Sequence, residues 1–415
     1  MEFAETKYFA IVSAMVMAAL VRFVALWLFP DIPLDSLATG TYFGGAHMLL
    51  YGNGFSDSSY PVLGPPLYAI FIALCSSLPG NEQMLVKIAQ IIIDSLTVAI
   101  IYLIAREMFG LTAALLSAGI WAIYPFAVYC AISIGSETLF TFFLSVFVLL
   151  ALHSLKSPSL KLYSSSGICL ALATLTRGTT LFFPIIFLAV VLLWSTPKYP
   201  WFKRYLAFLV SFVLVIFPWS LRNYIVLDEF IPVATSGQMV FLRGADESFF
   251  TIEDAEKNVP LYIEKMRLKG IHEPLPASGP GQKADFLARI ATERYKERFY
   301  AEPETLIPFL LTKLARLWYA TESGRNQALI VSANAIIYLL ALLGALLAWP
   351  KKNECFWLLL AVLGYFVAIH TVLIPLFRYM LPVIPYVIMF AALSMASATA
   401  LCRERKLFEP NRCKV

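Results

Sequence analysis

Apolar residues run through the chain in long blocks, each closed by charged residues. Such blocks are the sequence form of membrane-spanning helices, and here they fall near 8–29, 84–105, 111–131, 136–154, 163–176, 179–195, 204–219, 328–349, 355–374 and 379–401. A further apolar stretch, Pro65 to Leu78, is only about 14 residues long and begins with two prolines, which fits a helix lying at the membrane interface. The opening block is long and lacks a small-residue cleavage site, so a permanent first helix is expected and not a signal peptide. The predicted fold is an all-α polytopic membrane protein with about ten transmembrane helices and additional interfacial helices.

Orientation follows from the short basic loops, which stay cytoplasmic. With ten spans and both termini inside, the turns carrying Arg106, then Lys156 and Lys161, then Lys198, Lys203 and Arg204, then Lys351 and Lys352 share one side with the tail. Two long hydrophilic regions, about 30–83 and about 220–327, then face the exoplasm. In the second, Phe286, Leu287, Ile290, Tyr295 and Phe299 recur at helical spacing among charges, as in an amphipathic helix laid on protein or lipid.

Composition agrees with this pattern. Hydrophobic residues make up 60% of the 415 and charged residues 14%, which argues against a soluble enzyme. The net charge of +5 is too small for a nucleic-acid binder, and the six cysteines lack the spacing of a zinc site or disulfide framework.

Charged groups inside apolar spans are costly and call for partners. Arg22 and Asp94 lie at similar depth in the first two spans, roughly 12–15 Å below the outer surface, and predict an ion pair. At the outer interface five charges from distant parts of the chain share one level: Asp35, Glu137, Arg177, Arg222 and Arg378. Each alone suits interfacial anchoring or helix capping. Together they suit a lipid-linked phosphate, with forked guanidinium hydrogen bonds to the phosphate and a carboxylate to take a hydroxyl proton.

The motifs in chain order resemble the polytopic GT-C glycosyltransferases of the protein-mannosyltransferase and aminoarabinose-transferase type. The resemblance rests on the acidic residue after the first helix, Tyr42 with Ala46, Gly52-Asn-Gly-Phe55 and Pro65-Pro-Leu-Tyr68, then Ser136-Glu137 and Leu175-Thr-Arg177. It continues in Pro218-Trp219, Leu221-Arg-Asn223 and Arg378-Tyr-Met-Leu-Pro382. It implies an inverting hexosyl- or pentosyltransferase in the bacterial plasma (inner) membrane, both termini cytoplasmic, acting on the exoplasmic side. Its partners would be a polyprenyl-phosphate-linked sugar donor and an unspecified hydroxyl acceptor (lipid, glycan or protein) within the bilayer. Residues 1–219 would form the catalytic transmembrane module, 220–327 an exoplasmic helical domain, and 328–415 the last spans with the tail.

In this family the catalytic carboxylate lies in the first exoplasmic loop, which points to Asp35. The family's usual acidic position, four residues before the tyrosine, is Ala38 here, and Asp31 and Asp57 are the loop's other carboxylates. Glu137 is the matching acidic residue of the second exoplasmic loop, and Arg177, Arg222 and Arg378 would hold the phosphate. Tyr42, His47, Asp57, Tyr68, Asn223 and Tyr379 are candidate substrate contacts. His47 is read as a structural polar residue, with an acceptor or divalent-metal contact as the alternative, and no cofactor is expected. His153 and His370 end apolar spans and are expected to reach the interface. Thr235 to Met239, with Phe241 and Arg243, fits either sugar contacts or an ordinary turn and strand. The competing function is a transporter or flippase of the same lipid-linked sugar; few polar groups line the cytoplasmic halves of the spans, which favours a one-sided cavity.

Overall fold

The computed structural model describes residues 2–32, 38–56, 64–194, 201–268, 279–349 and 354–408. Among these every regular element is helical. In chain order they are α1 (Glu2–Leu28), α2 (Gly44–Tyr51), α3 (Pro66–Ser76), α4 (Glu82–Phe109), α5 (Leu111–Ile123) and α6 (Pro125–Ile132). Then come α7 (Glu137–Lys156), α8 (Leu160–Thr176), α9 (Phe183–Trp194), α10 (Trp201–Leu227), α11 (Ser236–Gly244), α12 (Ile252–Leu268), α13 (Pro280–Tyr300) and α14 (Pro303–Arg316). The chain closes with α15 (Gln327–Ala348), α16 (Glu354–Val372), α17 (Phe377–Met380) and α18 (Ile384–Phe408).

Among the described residues seven helical segments are long and apolar enough to cross a membrane, and α5 with α6, bent by 51°, would make an eighth. The two further spans expected from sequence are α8 and α9. At 17 and 12 residues these are shorter than the seven, and α8 runs from just after the end of α7 back to Arg177 beside Glu137 at the start of α7. The proline-led stretch forms α3, which spans only 11 residues.

The bundle is held by close crossings. Gly167 on α8 lies against the Phe208 carbonyl of α10, and Gly344 on α15 against the Phe390 carbonyl of α18; a Cβ at either glycine would overlap that backbone. Small residues serve this purpose in membrane helices, where packing replaces the hydrophobic drive. Around the first crossing Phe147, Phe183, Phe187 and Phe208 interlock, with the last two rings 4.8 Å apart. Phe9 and Trp27 on α1 and Ile336 and Leu339 on α15 stay exposed, as lipid-facing residues do.

The expected intramembrane ion pair is present. Arg22 pairs with Asp94 of α4, both fully buried, while its Nη1 donates to the Ala122 carbonyl at 2.7 Å, where α5 breaks. The Trp121 indole N–H donates to the same aspartate at 3.3 Å.

The polar helices α11 to α14 form a layer with its own core of Leu242, Phe249, Met266, Phe286 and Ile290. Of the amphipathic stripe on α13, Phe286 and Ile290 are buried, Leu287 and Tyr295 pack against the same core, and Phe299 is exposed. Buried Lys313 fastens this layer to the end of α16. Its Nζ lies within hydrogen-bonding distance of the carbonyls of Gly244 at 2.5 Å and Val372 at 3.0 Å and of the Tyr295 hydroxyl at 2.8 Å. Burial pulls Lys313 down to about 6, Glu247 opposing and Arg298 adding to the shift.

Candidate active site

Glu137 opens α7 directly after Gly135 and Ser136, so its carboxylate stands at the end of the bundle beside the stop of α8. The last residue there, Arg177, leaves the helix in an extended conformation and turns its guanidinium inward. Arg177 Nη1 lies 2.7 Å from Glu137 Oε1, and Arg378 Nε, from α17, lies 3.3 Å from the same oxygen. Both Glu137 and Arg177 are largely buried. One carboxylate oxygen thus draws two guanidiniums from separate elements to one point.

Aromatic rings flank this point. Tyr379 carries the Arg177 guanidinium 5.2 Å and the Arg378 guanidinium 5.6 Å from its ring centre, within reach of cation–π attraction. The His370 imidazole stacks on the Tyr379 ring at 5.0 Å, nearly parallel at 6°. On the other side Tyr42 shares a hydrogen bond with Ser136 Oγ at 3.2 Å and meets the Tyr68 ring edge-on at 4.7 Å. The Tyr68 hydroxyl donates to Gln90 Oε1 at 2.6 Å, and Gln90 Nε2 donates to the Ser133 carbonyl at 2.6 Å. A chain of polar contacts therefore fixes the 133–136 turn that presents Glu137. Burial raises the Tyr42 phenol above its ordinary value, with nearby Arg177 pulling the other way, and raises Tyr68 well above it. Both remain neutral hydrogen-bonding groups at physiological pH.

The sequence candidates divide accordingly. Glu137, Arg177, Arg378, Tyr42, Tyr68 and Tyr379 come together. Arg222 holds the first loop: its Nε donates to the Phe55 carbonyl at 2.6 Å and its guanidinium lies over the Trp219 ring. Asn223 is fully buried and donates to the Ile231 carbonyl at 2.8 Å, closing the turn after α10. His47 stands on α2 beside Glu82, with Nε2 and Oε2 2.9 Å apart, and among the described residues no three His, Cys, Asp or Glu side chains cluster as metal ligands. Asp35 and Asp57 lie outside the described residues. Asp31, at the turn after α1, is exposed.

One participant was not among the sequence candidates. Glu322, between α14 and α15, places Oε2 2.7 Å from Arg378 Nη1 and Oε1 3.0 Å from Arg243 Nη1. Arg243, read from sequence as part of a segment for sugar contacts or an ordinary turn and strand, lies on helix α11 and not on a strand, and is paired with this carboxylate. His370 is 2% exposed, not at the interface as expected, because the α17 turn brings Tyr379 down onto it.

Residues 64–221 match the family described as dolichyl-phosphate-mannose-protein mannosyltransferase. The structure aligns over 99% of the chain with the archaeal oligosaccharyltransferase AglB from Archaeoglobus fulgidus, in complex with an inhibitory peptide and a dolichol-phosphate, at a TM-score of 0.58 and 16% identity. The chain has the GT-C fold. The apo form of the same Archaeoglobus fulgidus enzyme aligns over 98% of this GT-C chain at a TM-score of 0.56 and 16% identity. The GT-C chain spans about half the length of these structures, 53% and 52%. No curated protein matches its sequence. The matched segment of this GT-C chain, 64–221, contains Glu137 and Arg177, while Arg378 joins them from outside it.

Proposed function

We propose that the protein is an integral membrane glycosyltransferase. It moves a sugar from a polyprenyl-phosphate donor to a hydroxyl acceptor on the exoplasmic face, with inversion at the anomeric carbon. The observation that carries this reading is the junction of largely buried Arg177 and half-buried Arg378 on one carboxylate oxygen of Glu137, walled by Tyr42 and Tyr379, at one end of a GT-C bundle. Guanidiniums held in a site screened from water stabilise charge that develops on a leaving phosphate oxygen, and the removal of one such donor typically costs about 3–4 kcal/mol. Bound dolichol-phosphate in the AglB complex is consistent with a lipid-phosphate ligand for this chain as well.

Glu137 is committed to two guanidiniums, so its role in this reading is to aim them. Asp35, in the first loop, is assigned as the base that takes the acceptor proton. Arg222 contributes by holding the 54–56 turn against α10. The assignment involves no cofactor.

The test is incubation of the purified protein with polyprenyl-phosphate sugars and candidate acceptors, read as release of free polyprenyl phosphate. Release is expected in the wild type and lost in Asp35→Asn, with binding of polyprenyl phosphate retained. Near-normal turnover by Asp35→Asn would move the base to Asp31 or Asp57. Turnover unaffected by Arg177→Gln and Arg378→Gln would remove the phosphate site.

A further inference from the structure

Five side chains are ion-paired in a row across the site. Arg177 Nη1 meets Glu137 Oε1 at 2.7 Å, Glu137 Oε1 meets Arg378 Nε at 3.3 Å, Arg378 Nη1 meets Glu322 Oε2 at 2.7 Å, and Glu322 Oε1 meets Arg243 Nη1 at 3.0 Å. Among the described residues of this row, three guanidiniums against two carboxylates leave a surplus of one positive charge.

We propose that Glu322 sets this surplus so that the site favours the sugar-bearing lipid phosphodiester over the lipid phosphate left after transfer. The proposal rests on the lipid-phosphate reading above. Transfer forms a bond from the acceptor oxygen to the anomeric carbon and breaks the bond between that carbon and the phosphate oxygen; the electron pair of the broken bond stays on the phosphate oxygen, and the acceptor proton goes to the base. A diester carrying one negative charge thereby becomes a monoester whose second proton is lost near pH 6, so that it carries close to two. Asp35 contributes the same charge to both bound states once its proton has left, so among these five the surplus of one matches the single charge of the donor. The same surplus leaves the bound product with an unmatched negative charge in a poorly hydrated setting, where such charge is costly. Product release is then favoured without weakening the donor.

Glu322 is placed to set this balance from outside the bundle. It lies in the connection between α14 and α15, its backbone carbonyl accepts from the Ile252 N–H at 3.0 Å, and its side chain is 23% exposed. Its two oxygens bridge Arg378 of α17 to Arg243 of α11, so the charge felt at Glu137 depends on the polar α11 to α14 layer.

The probes are a polyprenyl phosphate, dianionic at pH 8, and its methyl phosphodiester, which carries one charge. Dissociation constants for both are measured on the purified full-length protein in detergent. Glu322→Gln raises the surplus to two and is expected to shift the binding ratio toward the monoester by about tenfold. Arg243→Gln lowers the surplus to zero and is expected to shift the ratio the other way, and the double variant to return close to wild type. A merely structural role would weaken both ligands alike and leave the ratio unmoved in every variant, which would overturn the inference. If Glu322→Gln does not fold, the sign of the Arg243→Gln shift decides alone. A wild type that binds neither probe would remove the lipid-phosphate reading itself, whereas unshifted ratios in variants that bind both remove only the role of Glu322.

Discussion

Replacing Glu137 by glutamine preserves the shape of the side chain and removes the charge on which two arginines converge. With charge centres about 4 Å apart and an effective dielectric near 20, each pair is worth about 4 kcal/mol before desolvation is counted. Glutamine is cheaper to bury than glutamate, and Arg378 keeps its 2.7 Å contact with Glu322, so the loss falls chiefly on Arg177. Breaking a buried pair on one side typically costs about 3–5 kcal/mol, and that is the expected destabilisation of Glu137→Gln. The assay is unfolding of the purified protein in detergent, followed by intrinsic fluorescence, for wild type, Glu137→Gln, Arg177→Gln and the double variant. The double variant should recover part of the loss, with a coupling of about 1.5–3 kcal/mol. A Glu137→Gln protein within about 0.5 kcal/mol of wild type, or a strictly additive cycle, would refute the view that this carboxylate holds the arginines in place.

Arg22→Met and Asp94→Leu should each cost about 3–5 kcal/mol, because each strands a buried charge, and the double variant should cost less than either; two additive losses in the same unfolding assay would contradict the pairing. Lys313 titrates at about 6 in the folded protein and near 10.4 when free, so between these values the unfolded chain binds more protons and stability rises with pH, by at most about 1.4 kcal/mol per unit. The penalty is complete below pH 6 and gone above about pH 10.4. Lys313→Met removes this dependence, and the melting temperature of wild type relative to the variant should climb from pH 6.5 to 9; a constant difference would show that Lys313 keeps its proton when buried.

How much of this was legible in the sequence depended on how local the signal was. The long spans were, because each is a continuous apolar block, and so was the Arg22 pair, because depth along two helices follows from residue count. The spans expected at 163–176 and 179–195 are the short helices α8 and α9; α8 starts just after α7 ends and brings Arg177 back to Glu137 at the start of α7, so its run along the bundle matches that of α7 despite its fewer residues. Glu137, Arg177 and Arg378 were marked by a shared membrane level, which survives folding. Glu322 was not, since its partners lie 56 and 79 residues away and the connection around it has no periodicity. His370 looked like a helix-end residue free to reach the interface. Its burial depends on the turn that leads into α17, a tertiary fact that no window of sequence contains.

The bend between α5 and α6 has a consequence for the first helix. Pro125 has no N–H to offer the Trp121 carbonyl, which accepts from the Tyr124 N–H at 3.2 Å, and the change of direction withdraws the usual partner from Ala122, within a region where lipid supplies none. Arg22 reaches across with Nη1 to the Ala122 carbonyl and Nη2 toward that of Trp121, while Asp94 balances its charge. The guanidinium of α1 thus does the work of a water molecule that cannot enter. Through it the break becomes a fixed elbow, and α6, which leads into the 133–136 turn, inherits its direction from a residue some hundred positions earlier in the chain.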